Sequence, residues 1–115
     1  MPKVLSGSVK FFYPDYKPPE LAKLLRDRLQ GLDEILTLRR VVLFGSWAKG
    51  KETAFSDIDL LVVYAGLPRE DAYRLVKQYI NLRGLEPHVF SEDEAENLKT
   101  TLARMAEGGV VLYPE

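Results

Sequence analysis

The chain has no cysteine, a single histidine, two methionines and one tryptophan among 115 residues. Without cysteine there is no disulfide framework, no thiolate nucleophile and no thiolate metal site. Long apolar runs are missing as well. The longest, residues 60–65, falls far short of the roughly 20 residues needed to cross a bilayer, so no membrane span is expected. Met1-Pro2-Lys3 leads into polar residues rather than the apolar core of a secretory signal, which makes a cytoplasmic location the default expectation. An excess of one charge is lacking too: Lys+Arg 16 against Asp+Glu 17 gives a net charge of -1. That balance argues against nucleic acid or an anionic membrane surface as the partner. Internal repeats, low-complexity tracts and linkers are absent, so residues 1–115 are expected to form one domain, with residues 1–16 as an arm or edge strand.

What the chain does have is core material, at 46% hydrophobic and 29% charged residues, the composition of a folded domain. The charge is unevenly spread. Residues 17–54 carry eight basic and five acidic side chains, whereas residues 55–115 carry six basic and eleven acidic ones. The change of sign falls beside a glycine-containing segment around Gly45.

Apolar periodicity organises the rest. Leu21, Leu24, Leu25, Leu29, Leu32 and Ile35 recur at helical spacing and predict a helix over 18–36, weakened in its last turn by Gly31. Before it, residues 8–13 suggest a short edge strand and the prolines of 14–19 a turn-rich connection. Residues 41–44 form a continuous β-rich apolar run that reads as a buried strand, and residues 57–64 read as a second. A helix over 69–82 follows, presenting Ala72, Leu75, Val76, Tyr79 and Ile80 on one face and closed by Gly84. Residues 85–90 make a third strand. Ser91-Glu-Asp-Glu94 has the capping-box pattern, so a helix is expected from Ser91 to about Ala106, and residues 110–113 form a last strand. Alternating strands and helices in a short chain predict an α/β (α+β) fold: a small mixed sheet with helices packed on it.

The segment with chemical character runs from Leu43 to Val63. Gly45 to Lys51 matches most of a P-loop, but Glu52 stands where a Mg²⁺-binding Ser or Thr is required, and only a few residues precede the next strand. The P-loop reading is therefore rejected. Asp57 and Asp59 alternate with Ile58 and Leu60, so in a strand the two carboxylates share one face. Side by side they repel unless a cation lies between them, and hard divalent ions take carboxylate oxygens together with substrate phosphates. Gly45 and Gly50 allow a ligand to approach the backbone. Ser46 offers a hydroxyl and an N–H, and would expose further N–H groups if it opened a short helix. Lys49 and Lys51 supply positive charge at the rim. Trp47 is expected to pack over the first helix, with base stacking the less ordinary role, and Arg39 and Arg40 are expected to be surface charges.

Gly45-Ser46, ten residues, then Asp57-Ile58-Asp59 resembles the signature of the nucleotidyltransferase superfamily that includes DNA polymerase β. The short chain is similar to the minimal, MntA-like nucleotidyltransferase antitoxins, which are often paired with HEPN-domain partners. The resemblance implies a nucleotidyltransferase-like fold and transfer of a nucleoside monophosphate from an NTP, ATP foremost, to an acceptor hydroxyl with release of pyrophosphate. It further implies that Gly45 and Ser46 hold the triphosphate, and that Asp57 and Asp59 are catalytic and bind Mg²⁺; Lys49 and Gly50, at the rim of the same segment, are expected to bind the nucleotide with them. Active members of that superfamily usually carry a third carboxylate on a later strand. Here the corresponding place holds His88, a poor Mg²⁺ ligand, while Glu86, two residues earlier and on the same face, is the alternative third metal ligand. Three functions follow as expectations. The first is nucleotidyl transfer to a protein such as a HEPN-domain toxin. The second is a weakly active or inactive antitoxin that acts by contact. The third is transfer to a small molecule, which would need a separate subunit or a homo-oligomer.

Overall fold

The leucines at 21, 25, 29, 32 and 36 fall at intervals of three or four and form one stripe of helix α1 (Pro18–Leu36), all buried. Each such leucine, fully withdrawn from water, contributes about 2 kcal/mol. The computed structural model describes residues 18–50 and 57–114; the arm or strand expected at 8–13 and most of the proline-rich connection lie outside them. Gly31 sits against the Tyr79 ring, its missing Cβ position 3.6 Å from Cδ2. Ile35 departs from the expected stripe and is exposed. The helix ends as Thr37 turns left-handed at φ 51°, and the Asp33 side chain accepts the Leu38 N–H at 2.7 Å.

Among the described residues four strands form one mixed sheet in the order β3-β2-β1-β4. Strand β1 (Leu38–Phe44) pairs antiparallel with β2 (Ile58–Tyr64) and with the short β4 (Val110–Tyr113), while β2 and β3 (Leu85–Ser91) run parallel. Strand β1 starts three residues earlier than the apolar run suggests. Arg39 and Arg40 are exposed beside a register irregularity between Leu38 and Arg40, and so they carry charge without breaking the pairing. Arg39 lies 3.4 Å from Glu92.

The crossover between the parallel strands contains α2 (Ala72–Ile80), which is shorter than expected at both ends. It buries Ala72, Val76 and Ile80, whereas Tyr79 is exposed. Its end is made not by Gly84 but by Asn81, left-handed at φ 46° and ψ 56°, whose N–H returns to the Lys77 carbonyl. Asparagine tolerates that conformation because its short side chain can bond locally. Gly84 instead lies in the turn before β3.

The helix expected from Ser91 is two helices. Ser91 caps α3 (Glu92–Asn97): its hydroxyl accepts the Glu94 N–H at 3.0 Å, and the Glu94 carboxylate accepts the Ser91 N–H at 2.9 Å. The chain then breaks at Leu98 before α4 (Lys99–Ala106). The break serves packing, since α3 lies on β3 and β2 while α4 reaches across to β1. One straight helix would leave that line.

The two faces of the sheet are filled by different elements. Alternation along β2 sends Ile58, Leu60, Val62 and Tyr64 to the α1–α2 side, where most of the core lies. Leu61 and Val63 go to the other side with Val42, Leu102 and Ala106. By the same alternation Asp59 belongs to this second, thinner layer, at the end of the sheet where β1 finishes and β2 begins.

Candidate functional site

Strand β1 ends at Phe44, and residues 45–50 form hydrogen-bonded turns. The Lys49 N–H donates to the Gly45 carbonyl at 3.2 Å, which makes a single turn rather than the short helix considered for Ser46. Ser46 is half-buried, and Lys49 and Gly50 are exposed. Trp47 is only 5% exposed and joins the core on the α1 side, as packing over the first helix requires. Lys51 lies outside the described residues.

Gly45 has a φ of +77°, and a Cβ there would stand 2.4 Å from Asp59 Oδ2 and 3.3 Å from its Cγ. Glycine is therefore required twice, by the backbone and by the carboxylate that occupies the side-chain space. The antiparallel register brings this about by pairing Phe44 with Asp59.

On the other flank the parallel register places Glu86 beside Asp59 and His88 beside Leu61. Residues in register share a face, so Asp59, Glu86 and His88 belong to one surface. His88 Nε2 lies 3.6 Å from Asp59 Oδ1, the side chains being 33% and 27% exposed. That separation exceeds hydrogen-bond distance, and Nε2 is itself buried without a hydrogen-bond partner among the described residues. The Phe44 ring packs on the imidazole with centroids 5.2 Å apart. Asp57 stands one residue before β2 and is exposed. Glu86 is exposed on β3.

Gly45 leaves room for the Asp59 carboxylate and His88 faces it, Glu86 is in register with Asp59, and Asp57, Ser46, Lys49 and Gly50 flank the pair along the chain. Phe44 was missed by motif reading. Its signal was available in the alternation Val42–Phe44 ahead of Gly45, which sets Phe44 on the face opposite the α1 core.

For Mg²⁺ the donor chemistry fits poorly. Among the described residues no group of three or more His, Cys, Asp and Glu is arranged to hold a metal ion. One side chain facing Asp59 from β3 is an imidazole at 3.6 Å, which suits transition metals better than Mg²⁺.

A Gly-Ser turn leaving one strand, an aspartate at the head of the antiparallel neighbour and a parallel third strand beside it define a nucleotidyltransferase-like α/β domain. The chain belongs to the nucleotidyltransferase domain family, whose model matches residues 22–110. In fold it is similar to a putative nucleotidyltransferase from Sulfolobus solfataricus, with a TM-score of 0.58 and 22% identity over 83% of this chain and 81% of that one. It is also similar to a chain of a mutant MntA-HpeT toxin-antitoxin structure, with a TM-score of 0.52 and 21% identity over 87% of this chain and 75% of that one. No curated protein sequence matches. Among the described residues no helix is long and apolar enough to cross a membrane.

Proposed function

We propose that this chain is a nucleotidyltransferase-fold binding module of the antitoxin kind, which neutralises a HEPN-domain partner by contact. The observation that carries the reading is the imidazole of His88 standing 3.6 Å from Asp59, on the strand where the resemblance calls for a further carboxylate. The likeness in fold to a toxin-antitoxin chain supports the choice of partner. The test is co-expression with a candidate HEPN-domain toxin. Asp59→Ala should still copurify with that partner and restore growth as the unaltered chain does. Loss of neutralisation with binding retained would refute neutralisation by contact.

A second reading is favoured by the close fit of Gly45 around the Asp59 carboxylate, a costly arrangement to keep without use. In it the chain transfers a nucleoside monophosphate from ATP to a hydroxyl of the partner. The hydroxyl oxygen bonds to the α-phosphorus and gives up its proton, and pyrophosphate leaves. Gly45, Ser46, Lys49 and Gly50 would hold the nucleotide, with Asp57 and Asp59 as the catalytic acids. Transfer of ³²P from α-labelled ATP to the partner, abolished by Asp57→Asn, establishes this reading over the first; an unlabelled partner that is nevertheless neutralised establishes the first.

A further inference from the structure

We infer that the open seam between α1 and α2 is a two-fold interface with a second copy of this chain. The two helices run antiparallel. Arg28 of α1 donates to the Ile80 and Asn81 carbonyls at the end of α2, the Tyr79 ring lies over Gly31, and Arg69, just before α2, donates to the Ile35 carbonyl at 3.1 Å. Gly31 and Ile35 are one turn apart on α1, as Leu75 and Tyr79 are on α2, so each pair shares a helix face beside the seam. Ile35 and Tyr79 are 40% and 38% exposed, and Leu67, in the loop that Arg69 ties to α1, is 74% exposed. These are three of the six large apolar side chains exposed among the described residues, and they gather along one seam rather than scatter. The principal contacts of α1 and α2 are with each other and with the strands beneath them.

The charges bordering the seam select its occupant. Outward of the apolar row, α1 carries the exposed acids Asp27 and Glu34, whereas α2 carries the exposed Arg74, which donates to Gln78 at 3.3 Å. Asp71 on the same border is already paired with Arg69 at 2.9 Å. One border is therefore acidic and the other basic, with apolar surface between. A two-fold axis parallel to the helices lays α1 of one copy over α2 of the other. Glu34 and Arg74 both lie at the end of the seam marked by the Arg69–Ile35 bond, so Glu34 then meets the partner's Arg74, and apolar surface meets apolar surface. An axis across the helices would instead set the acids of α1 against their own copies. Helix α2 has nine residues, about 14 Å, so the overlap is small and the dimer weak, forming toward the upper micromolar range. This interface goes beyond toxin neutralisation and does not depend on it.

Sedimentation equilibrium of the unaltered full-length chain, with no toxin present, tests the inference from about 10 µM to about 1 mM. The apparent mass should rise from 13.1 kDa toward twice that value. Ile35→Lys should hold the chain monomeric throughout. Glu34→Arg and Arg74→Glu should each weaken association about tenfold, and the two together in one chain should restore it. A chain that stays monomeric, association untouched by Ile35→Lys, or a double exchange no tighter than the single ones overturns the inference. The monomeric outcome includes the case in which Ile35→Lys abolishes toxin binding instead, which would assign the seam to that partner. The concentration series uses the unaltered chain, so a variant that fails to fold does not remove the test, and failure here leaves neutralisation by contact untouched.

Discussion

Gly45→Ala offers the sharpest check on the site, because two separable costs meet at one residue. The backbone φ of +77° is left-handed, which costs an alanine about 1 kcal/mol. The added methyl would then collide with Asp59 Oδ2 and press on Cγ at 3.3 Å, with Cβ at ordinary contact distance. Rotating the carboxylate relieves the first contact but Cγ must still give by a few tenths of an ångström, so overpacking adds about 1–2 kcal/mol. The total is about 2–3 kcal/mol, or a fall in Tm of about 8–12 °C for a domain of this size. Gly108→Ala isolates the backbone part, since Gly108 has a φ of +75° with no heavy atom within 4 Å of its would-be Cβ. It should cost only about 1 kcal/mol. In an Asp59→Ala background the collision is gone, and Gly45→Ala should fall to the same value, leaving a coupling of at least about 1 kcal/mol. Urea denaturation of the four proteins of the cycle, with Gly108→Ala as the fifth, measures every quantity. A Gly45→Ala cost that matches Gly108→Ala, or that is unchanged without the Asp59 carboxylate, would refute the close-fit account.

Two further expectations concern the frame around the site. Ser91→Ala should lower stability by about 1–2 kcal/mol, because it strands the Glu94 N–H and opens the capping box at a fully buried Ser91; hydrogen exchange should quicken first in α3, and unchanged exchange there contradicts the capping role. The hydrogen bond from Arg69 holds the Asp71 carboxyl below its ordinary range, outweighing desolvation, and the coulombic attraction of Arg69 acts in the same direction. A lowered native value means the pair stabilises the fold above the unfolded carboxyl's titration range and loses that contribution as pH falls through the native value. The stability gap between the unaltered chain and Asp71→Asn should therefore narrow on acidification, and a gap that widens toward low pH would count against the pairing.

Local rules account for much of the molecule. The leucine stripe of α1, the apolar runs of β1 and β2 and the Ser91–Glu94 box each carry their information within a few neighbouring residues, and each forms as its spacing implies. The departures occur where a distant contact decides. Arg39 and Arg40 join β1 because an antiparallel partner continues past the apolar run. Leu98 interrupts a helix because α3 and α4 lie over different strands. Asn81, rather than Gly84, ends α2, a choice between two residues that both accept left-handed backbone.

The site divides along the same line. Gly45, Ser46, Asp57 and Asp59 were legible as a pattern, and so was the anomaly of His88 in place of an acid. That His88 Nε2 faces Asp59, that Phe44 packs against it, and that Gly45 makes room for the carboxylate depend on the registers Phe44↔Asp59 and Asp59↔Glu86. Sequence period determines which face a side chain takes. Only strand pairing, fixed by the whole hydrogen-bonded sheet and the core beneath it, determines which side chains on that face stand together.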